Sequence, residues 1–388
     1  MKSETLNGID VLQRENFAIL HSRRIGLITN HTGLNREGQP TADLMHAHPD
    51  VHLAALFGPE HGIRGALDTN VPDGMDARTG LPVYSLYGAR TRPLPEQLKD
   101  LDMLVFDIQD VGTRFYTYIS TLGLCMEAAA QAGIPFVVLD RPNPLGGIAV
   151  EGSLADSDKL SFTAHHPIPI RHGLTVGEMA RLFQVEKAER AGISGVPQTI
   201  TPLLIAHVEN WRRAEAWDQT GLTWTNPSPN MRSLTQAFLY PGIGLLEFTN
   251  ISVGRGTDTP FEVIGAPWID GRRLAHTLNA HNLSGVRFVP IRFTPTASKH
   301  AGHTCGGVNI LITRRDLFHS VLTGFSLACA LRDLYPSDWE RSNYARLLAN
   351  STIYNAFDQG ANPAQLDQLC ADDVRTFRHR CAPHLAYK

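Results

Sequence analysis

The sequence lacks the features that mark several large protein classes. None of its apolar runs approaches the roughly 18 residues that a membrane-spanning helix requires. It has no long basic segment, and its formal net charge is only -3, so we expect no nucleic acid partner. The polar start, "MKSETLNGIDVLQREN", has no apolar core of the kind found in signal peptides. As the sequence stands, we expect a cytoplasmic protein without membrane contact, or a periplasmic or secreted one if a leader was removed.

Cysteine is scarce, and the familiar nucleotide and hydrolase motifs are missing. The five cysteines are scattered, odd in number and never spaced as C-x-x-C, which argues against a disulfide framework. No G-x-G-x-x-G follows the first predicted strand, and there is no G-x-x-x-x-G-K-S/T phosphate loop. The G-x-S-x-G elbow of serine hydrolases is also absent. The sequence therefore predicts no nucleotide cofactor and disfavours a serine hydrolase of the α/β type.

Histidine is plentiful, with 17 residues, but its spacing does not complete a metal site. Neither of two histidine-rich segments supplies the four ligands of a closed structural zinc site. We therefore expect no metal cofactor. The segments are "KHAGHTCGG", with His300, His303 and Cys305, and "HHPIPIRH", with His165, His166 and His172.

The first part of the chain alternates strand-like and helix-like segments. Strands are predicted at 24–30, 51–57, 102–109, 134–140 and 201–208, each a short run of apolar residues. Amphipathic helices are predicted between them, among them 41–48 with Thr41 as its N-cap and 175–192 beginning at a threonine cap. This alternation predicts an α/β fold with a parallel sheet and right-handed crossovers.

The alternation of predicted strands and helices ends at about residue 240. Three strand-like segments, "SVGRGTDTPFEVIGAPWI", "VRFVPIRFTP" and "GGVNILIT", follow with few helices between them, and helices are then predicted at 315–334, 338–349 and 363–379. With 388 residues, the chain is long enough for two domains. We therefore expect an α/β domain over 1–240 and a smaller α+β domain over 241–388.

Polar residues follow each of the first four predicted strands. The second strand, for example, runs from "VHLAALF" directly into "GPEHGIRG". Ligands of open α/β sheets bind outside the carboxyl ends of the strands, and the glycines of this segment permit a tight backbone around Glu60. Because Asp and Asn are also common in turns, each cluster alone is weak evidence. The candidates at this edge are Asn30, Glu60, His61, Arg64, Asp107, Asp110, Arg114, Arg141 and Asn143.

Catalysis by carboxylic acid side chains is the remaining interpretation of these residues. Glycoside hydrolysis needs a proton donor to the leaving oxygen and a group that stabilises or traps the oxocarbenium centre. Glu60 follows an apolar strand and is partly desolvated in this interpretation. A metal-dependent amidase or esterase, and a non-catalytic sugar-binding protein, remain alternatives. The charged partner of Glu60 could be Asp107, Asp110, Glu247 or Asp258, and nearby aromatic residues, Phe115, Tyr116, Tyr118, Trp224 and Phe248, could form an apolar platform for a sugar.

Many motifs together resemble those of the exo-β-N-acetylmuramidase family of glycoside hydrolases. They include "GLITNHTG", "FGPEHGIRG", "VFDIQDVGTRFYTYISTL", "VVLDRPNPLGG", "NPSPNM" and "LYPGIGLLEFTNISVGRGTDTPFE", and they extend from about Arg24 to the C-terminus. The resemblance implies a Rossmann-like N-terminal domain without a nucleotide, and a cleft between it and the smaller domain. It also implies removal of N-acetylmuramic acid from the non-reducing ends of peptidoglycan fragments, so that saccharides of N-acetylmuramic acid and N-acetylglucosamine are the partners.

The resemblance also implies which residues form the site. The family's catalytic glutamate corresponds to Glu60, and His61 and Asp110 are expected beside it. Muramic acid carries a lactyl carboxylate, which an arginine can bind through two hydrogen bonds. Arg114, Arg141 and Arg255 are the candidates, and Arg114 is the first choice. The other residues expected to bind substrate are Asn30, Arg64, Tyr116, Asn143, Asn226, Asn230, Glu247, Asn250 and Asp258.

Overall fold

A computed structural model describes residues 3–60, 62–64, 72–190 and 201–388. Within these residues, seven strands form one large sheet and three form a small one. His61, one of the predicted catalytic residues, lies outside the described residues. The α/β class with a smaller second part is confirmed, because the large sheet is mostly parallel and the small sheet is antiparallel.

The large sheet contains all five strands predicted in the first part of the chain. Its order is β3-β4-β2-β1-β5-β6-β7, and its strand pairs are parallel except for β3 with β4. The central strands β5 and β6 are buried along their whole length, since helices or the second part of the chain cover both faces. The strands are β1 (Arg24–Thr29), β2 (His52–Gly58), β3 (Gly74–Met75), β4 (Pro82–Ser85), β5 (Met103–Asp107), β6 (Phe136–Leu139) and β7 (Leu203–Ala206).

Two helix starts show where local sequence signals succeed and fail. Thr175 caps its helix as predicted, because its hydroxyl accepts from the Glu178 amide and its own amide donates to the Glu178 carboxylate. Thr41 is not the N-cap of its helix, since Pro40 holds that position. The Thr41 hydroxyl instead donates to the buried Asp107 carboxylate at 2.5 Å. The helices of this part are α1 (Gly8–Arg14), α2 (Thr41–Ala47), α3 (Pro95–Leu98), α4 (Tyr118–Ala132) and α5 (Val176–Arg190).

The second part of the chain builds an antiparallel sheet with helices packed around it. The strands are β8 (Val263–Ala266), β9 (Val286–Phe293) and β10 (Cys305–Ile312), in the order β8-β10-β9. The helices predicted at 315–334, 338–349 and 363–379 are present in shorter or divided form, whereas α6, α7 and α10 were not predicted. These helices are α6 (Leu234–Ile243), α7 (Gly271–Ala280), α8 (Ser320–Leu334), α9 (Ala345–Leu348), α10 (Ser351–Asp358), α11 (Pro363–Leu369) and α12 (Ala371–Cys381).

One continuous apolar core joins the two parts. It contains residues of β5 and α4 together with residues of β8, β10 and α8. The helix α6 spans residue 240, where the domain boundary is predicted, so that boundary stays a prediction. The close packing fixes the second part against one face of the large sheet and thereby shapes the cleft between them.

An ion pair also links the two parts, and it makes stability depend on pH. Arg380 of α12 donates twice to Glu186 of α5, at 2.8 Å each, and His166 binds the same carboxylate. Burial alone raises the pKa of Glu186, but the hydrogen bonds from His166 and Arg380 outweigh it and lower this pKa to about 2. The stabilisation is therefore present above the unfolded pKa of about 4.3 and is lost as the pH falls towards about 2.

We expect the Glu186→Gln variant to be less stable than the natural chain at neutral pH, and the difference to shrink in acid. Denaturant unfolding of both proteins at about pH 6 and about pH 3 measures this difference. A difference in free energy of unfolding that is the same at both pH values would show that the charge of Glu186 is not responsible.

Candidate active site

A pocket of about 200 Å³ opens beside the carboxyl end of the large sheet, and Glu60 lies on its wall. We call it the Glu60 pocket. It lies between the α/β part and the second part of the chain, because residues that follow β2 and β5 form one wall and residues that follow α6 form another. Its described lining is Glu60, Tyr87, Phe115, Tyr116, Thr117, Tyr118, Thr163, Ser228, Tyr240, Glu247, Phe248, Arg255 and Leu347.

Glu60 is placed by a tight turn directly after β2. A side chain at Gly58 would come within 3.2 Å of the Ile63 backbone, and Gly62 has a φ of +70°, which L-residues rarely adopt. Gly58 and Gly62 are therefore needed for the chain to fold back at this point. The half-buried Glu60 carboxylate then accepts a hydrogen bond of 3.2 Å from the Thr117 hydroxyl at the start of α4.

A second carboxylate in the pocket is held by an ion pair. Arg255 donates through Nε to Glu247 Oε1, and the Arg255 guanidinium lies 5.4 Å from the centre of the Phe261 ring. Glu247 comes directly after the short helical turn that follows α6. The pocket therefore contains two carboxylates of different surroundings, Glu60 beside a hydroxyl and Glu247 beside a guanidinium.

Buried phenols form the apolar wall between these groups. The Tyr116 ring packs edge-on against Tyr118, with centroids 4.8 Å apart, and against Tyr240 at 5.8 Å. Burial raises the pKa of Tyr240 well above its usual value, and the charges of Glu247, Glu60 and Asp110 raise it further. Burial likewise raises the pKa of Tyr116. The phenols consequently stay protonated at neutral pH and can donate hydrogen bonds in the pocket.

Seven of the residues predicted for the site line this pocket, namely Glu60, Phe115, Tyr116, Tyr118, Glu247, Phe248 and Arg255. Trp224, also predicted for the aromatic platform, is not in its described lining. Sequence reasoning missed five lining residues that carry hydroxyl groups: Tyr87, Thr117, Thr163, Ser228 and Tyr240. Tyr87 and Tyr240 lie in apolar segments whose pattern indicates core, and no local signal separates a pocket tyrosine from a core tyrosine.

Arg114, the first choice for binding the substrate carboxylate, has a different role. Its side chain is fully buried, and its guanidinium donates to the backbone carbonyls of Ser153, Ile168, Leu347 and Leu348 at 2.7–3.0 Å. Burial lowers the pKa of Arg114 to about 10. It is not available to a substrate in this structure, because both terminal nitrogens are engaged within the protein.

The Arg141 guanidinium is also engaged by an acidic group within the protein. It forms an ion pair with Asp107, through Nε at 2.6 Å and Nη2 at 2.9 Å, and both side chains are buried. The expectation that Arg141 or Asp107 acts in the Glu60 pocket is therefore not met. This ion pair links the carboxyl end of β5 to the segment that follows β6. Arg141 also lines a separate cavity described below.

Asp110, Asn30 and Asn143 follow parallel strands at the predicted edge, but they brace loops. Asp110 is buried and accepts hydrogen bonds from the Gly112 amide at 2.7 Å and from His172 at 3.2 Å. Asn30 accepts from Thr32, and Asn143 donates to the Leu174 carbonyl. The described lining of the Glu60 pocket includes none of these three, so Asp110 can act there only through the groups around it.

The remaining predicted residues lie outside the described lining of the pocket. Arg64 forms ion pairs with Asp76 and Asp43, and Asn250 donates to the Asp338 carbonyl. Asn226 and Asp258 are exposed, and Asn230 is half-buried. None of these five residues is in the described lining of the Glu60 pocket, so the expectation that they bind substrate stays a prediction.

The histidine-rich segments do not assemble a metal site among the described residues. His300 binds the Asn250 carbonyl, and His303 binds the Ala301 carbonyl. The cluster with suitable ligand spacing in the described chain is His21, His48 and Asp50, which is away from the Glu60 pocket. There, Nε2 of each histidine is already engaged by Asn16. No helix in the described part of the chain is long and apolar enough to span a membrane.

Known proteins share both the sequence and the fold. Peptidoglycan β-N-acetylmuramidase NamZ of Bacillus subtilis is 45% identical over 391 residues, covering 100% of this chain and 92% of that protein. A crystal structure of a DUF1343 family protein from Bacteroides fragilis superposes with a TM-score of 0.91 at 36% identity, covering 99% of each chain. A second such structure from the same organism gives a TM-score of 0.78 at 28% identity, covering 100% of this chain and 99% of that one.

The family models complete the comparison. The N-terminal model of exo-β-N-acetylmuramidase NamZ matches residues 25–235, and the C-terminal model matches residues 238–387. Together they cover both parts of the fold and confirm the resemblance seen in the sequence motifs. The chain belongs to the exo-β-N-acetylmuramidase NamZ family.

Proposed function

We propose that this chain is an exo-acting glycosidase that releases terminal β-1,4-linked N-acetylmuramic acid from the non-reducing ends of peptidoglycan fragments, and that the Glu60 pocket is its active site. The observation that carries the site is the placement of Glu60 and the ion-paired Glu247 in one aromatic pocket. A volume of about 200 Å³ suits one sugar residue better than a length of glycan chain, which supports attack at a chain end.

We assign Glu60 as the general acid. Its carboxyl group donates a proton to the leaving glycosidic oxygen, and the Thr117 hydroxyl orients it. Glu247 is the second carboxylate and stabilises the positive charge that develops at the anomeric carbon. It suits this role better than Asp107, Asp110 or Asp258, because these three are outside the described lining of the pocket.

Arg255, instead of Arg114, is the residue that we propose binds the lactyl carboxylate. Of the three arginines considered from the sequence, it is the one in the described lining of the Glu60 pocket. Its Nε atom donates to Glu247, and a guanidinium is the side-chain group whose planar fork of N–H donors matches the geometry of a carboxylate. A single arginine thereby links substrate recognition to the position of the second acid.

The Arg255→Gln variant should lose selectivity for the carboxylate. We expect kcat/KM to fall about ten- to a hundredfold on a chromogenic muramic acid glycoside, because a charge-assisted hydrogen bond is removed. On the matched glycoside whose lactyl group is a neutral amide, the decrease should be several times smaller. Arg314→Gln, which breaks the exposed ion pair with Asp316, serves as the control. Equal decreases on the two substrates would show that Arg255 acts only by holding Glu247.

Two experiments separate the proposed function from its alternatives. Turnover of a chromogenic muramic acid glycoside by the purified chain would exclude a non-catalytic sugar-binding protein. Full activity after exhaustive chelation would exclude a metal-dependent amidase or esterase. Absence of glycoside turnover, together with release of peptide or ester groups from wall fragments, would contradict the proposal.

A further inference from the structure

A second cavity, of about 320 Å³, lies at the carboxyl edge of the large sheet. We call it the indole pocket. It is lined by loops that follow β1, β5 and β6, next to the point where the strand order reverses on either side of β1. Open α/β sheets bind ligands at this position. Its principal side chains are Thr32, Asn35, Gln109, Arg141, Trp217 and Trp224.

Four buried polar side-chain atoms of the described lining have no hydrogen-bond partner in the described protein. Gln109 uses its Nε2 atom twice, for the carbonyls of Asp110 and Pro142, which fixes the amide and leaves the buried Oε1 atom as an unmatched acceptor. The indole Nε1 atoms of Trp217 and Trp224 are unmatched donors. The Asn7 Oδ1 atom is a further unmatched acceptor. Buried polar groups are normally paired, so these two acceptors and two donors, all on residues that line one cavity, are the groups that a hydrogen-bonding ligand would satisfy.

The cavity's cations are already neutralised, which indicates a neutral ligand. Arg141 is paired with Asp107, and Arg36 is paired with Glu4. Glu37, also in the lining, is exposed and adds a negative charge. A carboxylate or phosphate would find no unpaired cation to bind here. A polyhydroxylated ligand could form hydrogen bonds with the amides, the hydroxyls and the indole N–H groups.

The two indoles give the pocket an apolar platform as well. Trp217 and Trp224 pack edge to face, with ring centroids 5.7 Å apart. Aromatic side chains with a polar edge suit ligands that have an apolar face and a hydroxylated rim, and a pyranose ring is such a ligand. The volume of the cavity is sufficient for one amino sugar.

One chain segment, residues 224–228, contributes to the walls of both the indole pocket and the Glu60 pocket. Trp224 lines the first pocket and Ser228 lines the second. Two hydrogen bonds fix this segment. His31 donates through Nε2 to the Asn226 carbonyl at 2.7 Å, and Tyr118 donates to the Pro227 carbonyl at 2.6 Å. The two cavities are therefore separate sites with a shared wall.

We propose that the indole pocket is a second, non-catalytic saccharide site that binds a neutral N-acetylated amino sugar. The sugar ring packs on Trp224, its hydroxyl groups meet the indole donors and Gln109 Oε1, and no charge is required. The site differs from the Glu60 pocket, where Arg255 provides for a carboxylate, so the two pockets have opposite preferences for ligand charge.

The test uses N-acetylglucosamine as the neutral probe and N-acetylmuramic acid as the anionic one, and it measures binding without turnover. In crystals of the full chain soaked with each sugar, we expect N-acetylglucosamine in the indole pocket and N-acetylmuramic acid in the Glu60 pocket. In calorimetric titration, the Trp224→Phe variant should bind N-acetylglucosamine about three- to tenfold more weakly, because one hydrogen bond and part of the platform are lost. Trp268→Phe, another half-buried indole, which packs on Tyr335, is the matched control and should bind like the natural chain.

Three results would overturn the proposal. N-acetylglucosamine found only in the Glu60 pocket, or in neither pocket, would exclude the second site. Tighter binding of the anionic sugar in the indole pocket would contradict the neutral-ligand argument. Equal affinity of the Trp224→Phe and Trp268→Phe variants would remove Trp224 from the site. The soaking experiment needs no variant, so it decides the matter even if Trp224→Phe does not fold, and it does not depend on whether Glu60 is catalytic.

Discussion

Replacing Glu60 by glutamine should reduce kcat on an unactivated muramic acid disaccharide by about 10²- to 10⁴-fold, the usual contribution of a general acid. The amide keeps the size of the side chain and can still accept from the Thr117 hydroxyl, but it has no proton to give to the leaving oxygen. Thermal unfolding and KM should change little, since shape and hydrogen bonding are kept.

A substrate with a better leaving group distinguishes acid catalysis from a structural effect. A dinitrophenyl glycoside needs little protonation, so the Glu60→Gln variant should recover much of its rate on that substrate. The control is Glu209→Gln, which removes an acid from a half-exposed ion pair with Arg14 and should leave both rates unchanged. Equal decreases on activated and unactivated substrates would contradict proton donation by Glu60.

The Arg114→Met variant should have the largest effect on stability. Methionine keeps much of the buried volume but leaves the carbonyls of Ser153, Ile168, Leu347 and Leu348 without their donor. Each buried group that loses its partner costs about 1–3 kcal/mol, and we expect a total of about 3–5 kcal/mol after local relaxation. Denaturant unfolding measures the free energy directly.

Two comparisons make this prediction specific. Arg375→Met, on the exposed face of α12, should change the free energy of unfolding by less than about 0.5 kcal/mol. Arg114→Lys keeps the charge but cannot reach four carbonyls at once, so it should be intermediate. If Arg114→Met were as stable as the natural chain and lost only its preference for the lactyl carboxylate, the original expectation from the sequence would be correct.

The positions of the strands, and the position of Glu60 after β2, could be predicted because they depend on local pattern. Short apolar runs that end in polar residues placed β1, β2, β5 and β6 within two residues of their observed bounds. Parallel pairing then brings their carboxyl ends to one edge. The tight turn around Glu60 followed from Gly62, whose φ of +70° L-residues rarely adopt.

The role of Arg114 could not be predicted, because it depends on distant partners. The carbonyls that it binds are 39 to 234 residues away in the sequence, and the local motif "DVGTR" is the same for an arginine that faces a ligand or the core. The pairing of Arg141 with Asp107 has the same cause. By contrast, Glu247 and Arg255 are only eight residues apart, yet which wall they join depends on the packing of α6 against the core.

The most direct test of the proposed site is a crystal structure of the Glu60→Gln variant with a disaccharide of N-acetylmuramic acid linked to N-acetylglucosamine. We predict the muramic acid ring in the Glu60 pocket, its lactyl carboxylate at Arg255, and the glycosidic oxygen within about 2.6–3.2 Å of the side chain at position 60. A glycosidic oxygen far from position 60, or an N-acetylglucosamine ring in place of muramic acid in that pocket, would contradict the assignment of Glu60 as the acid of an exo-acting muramidase.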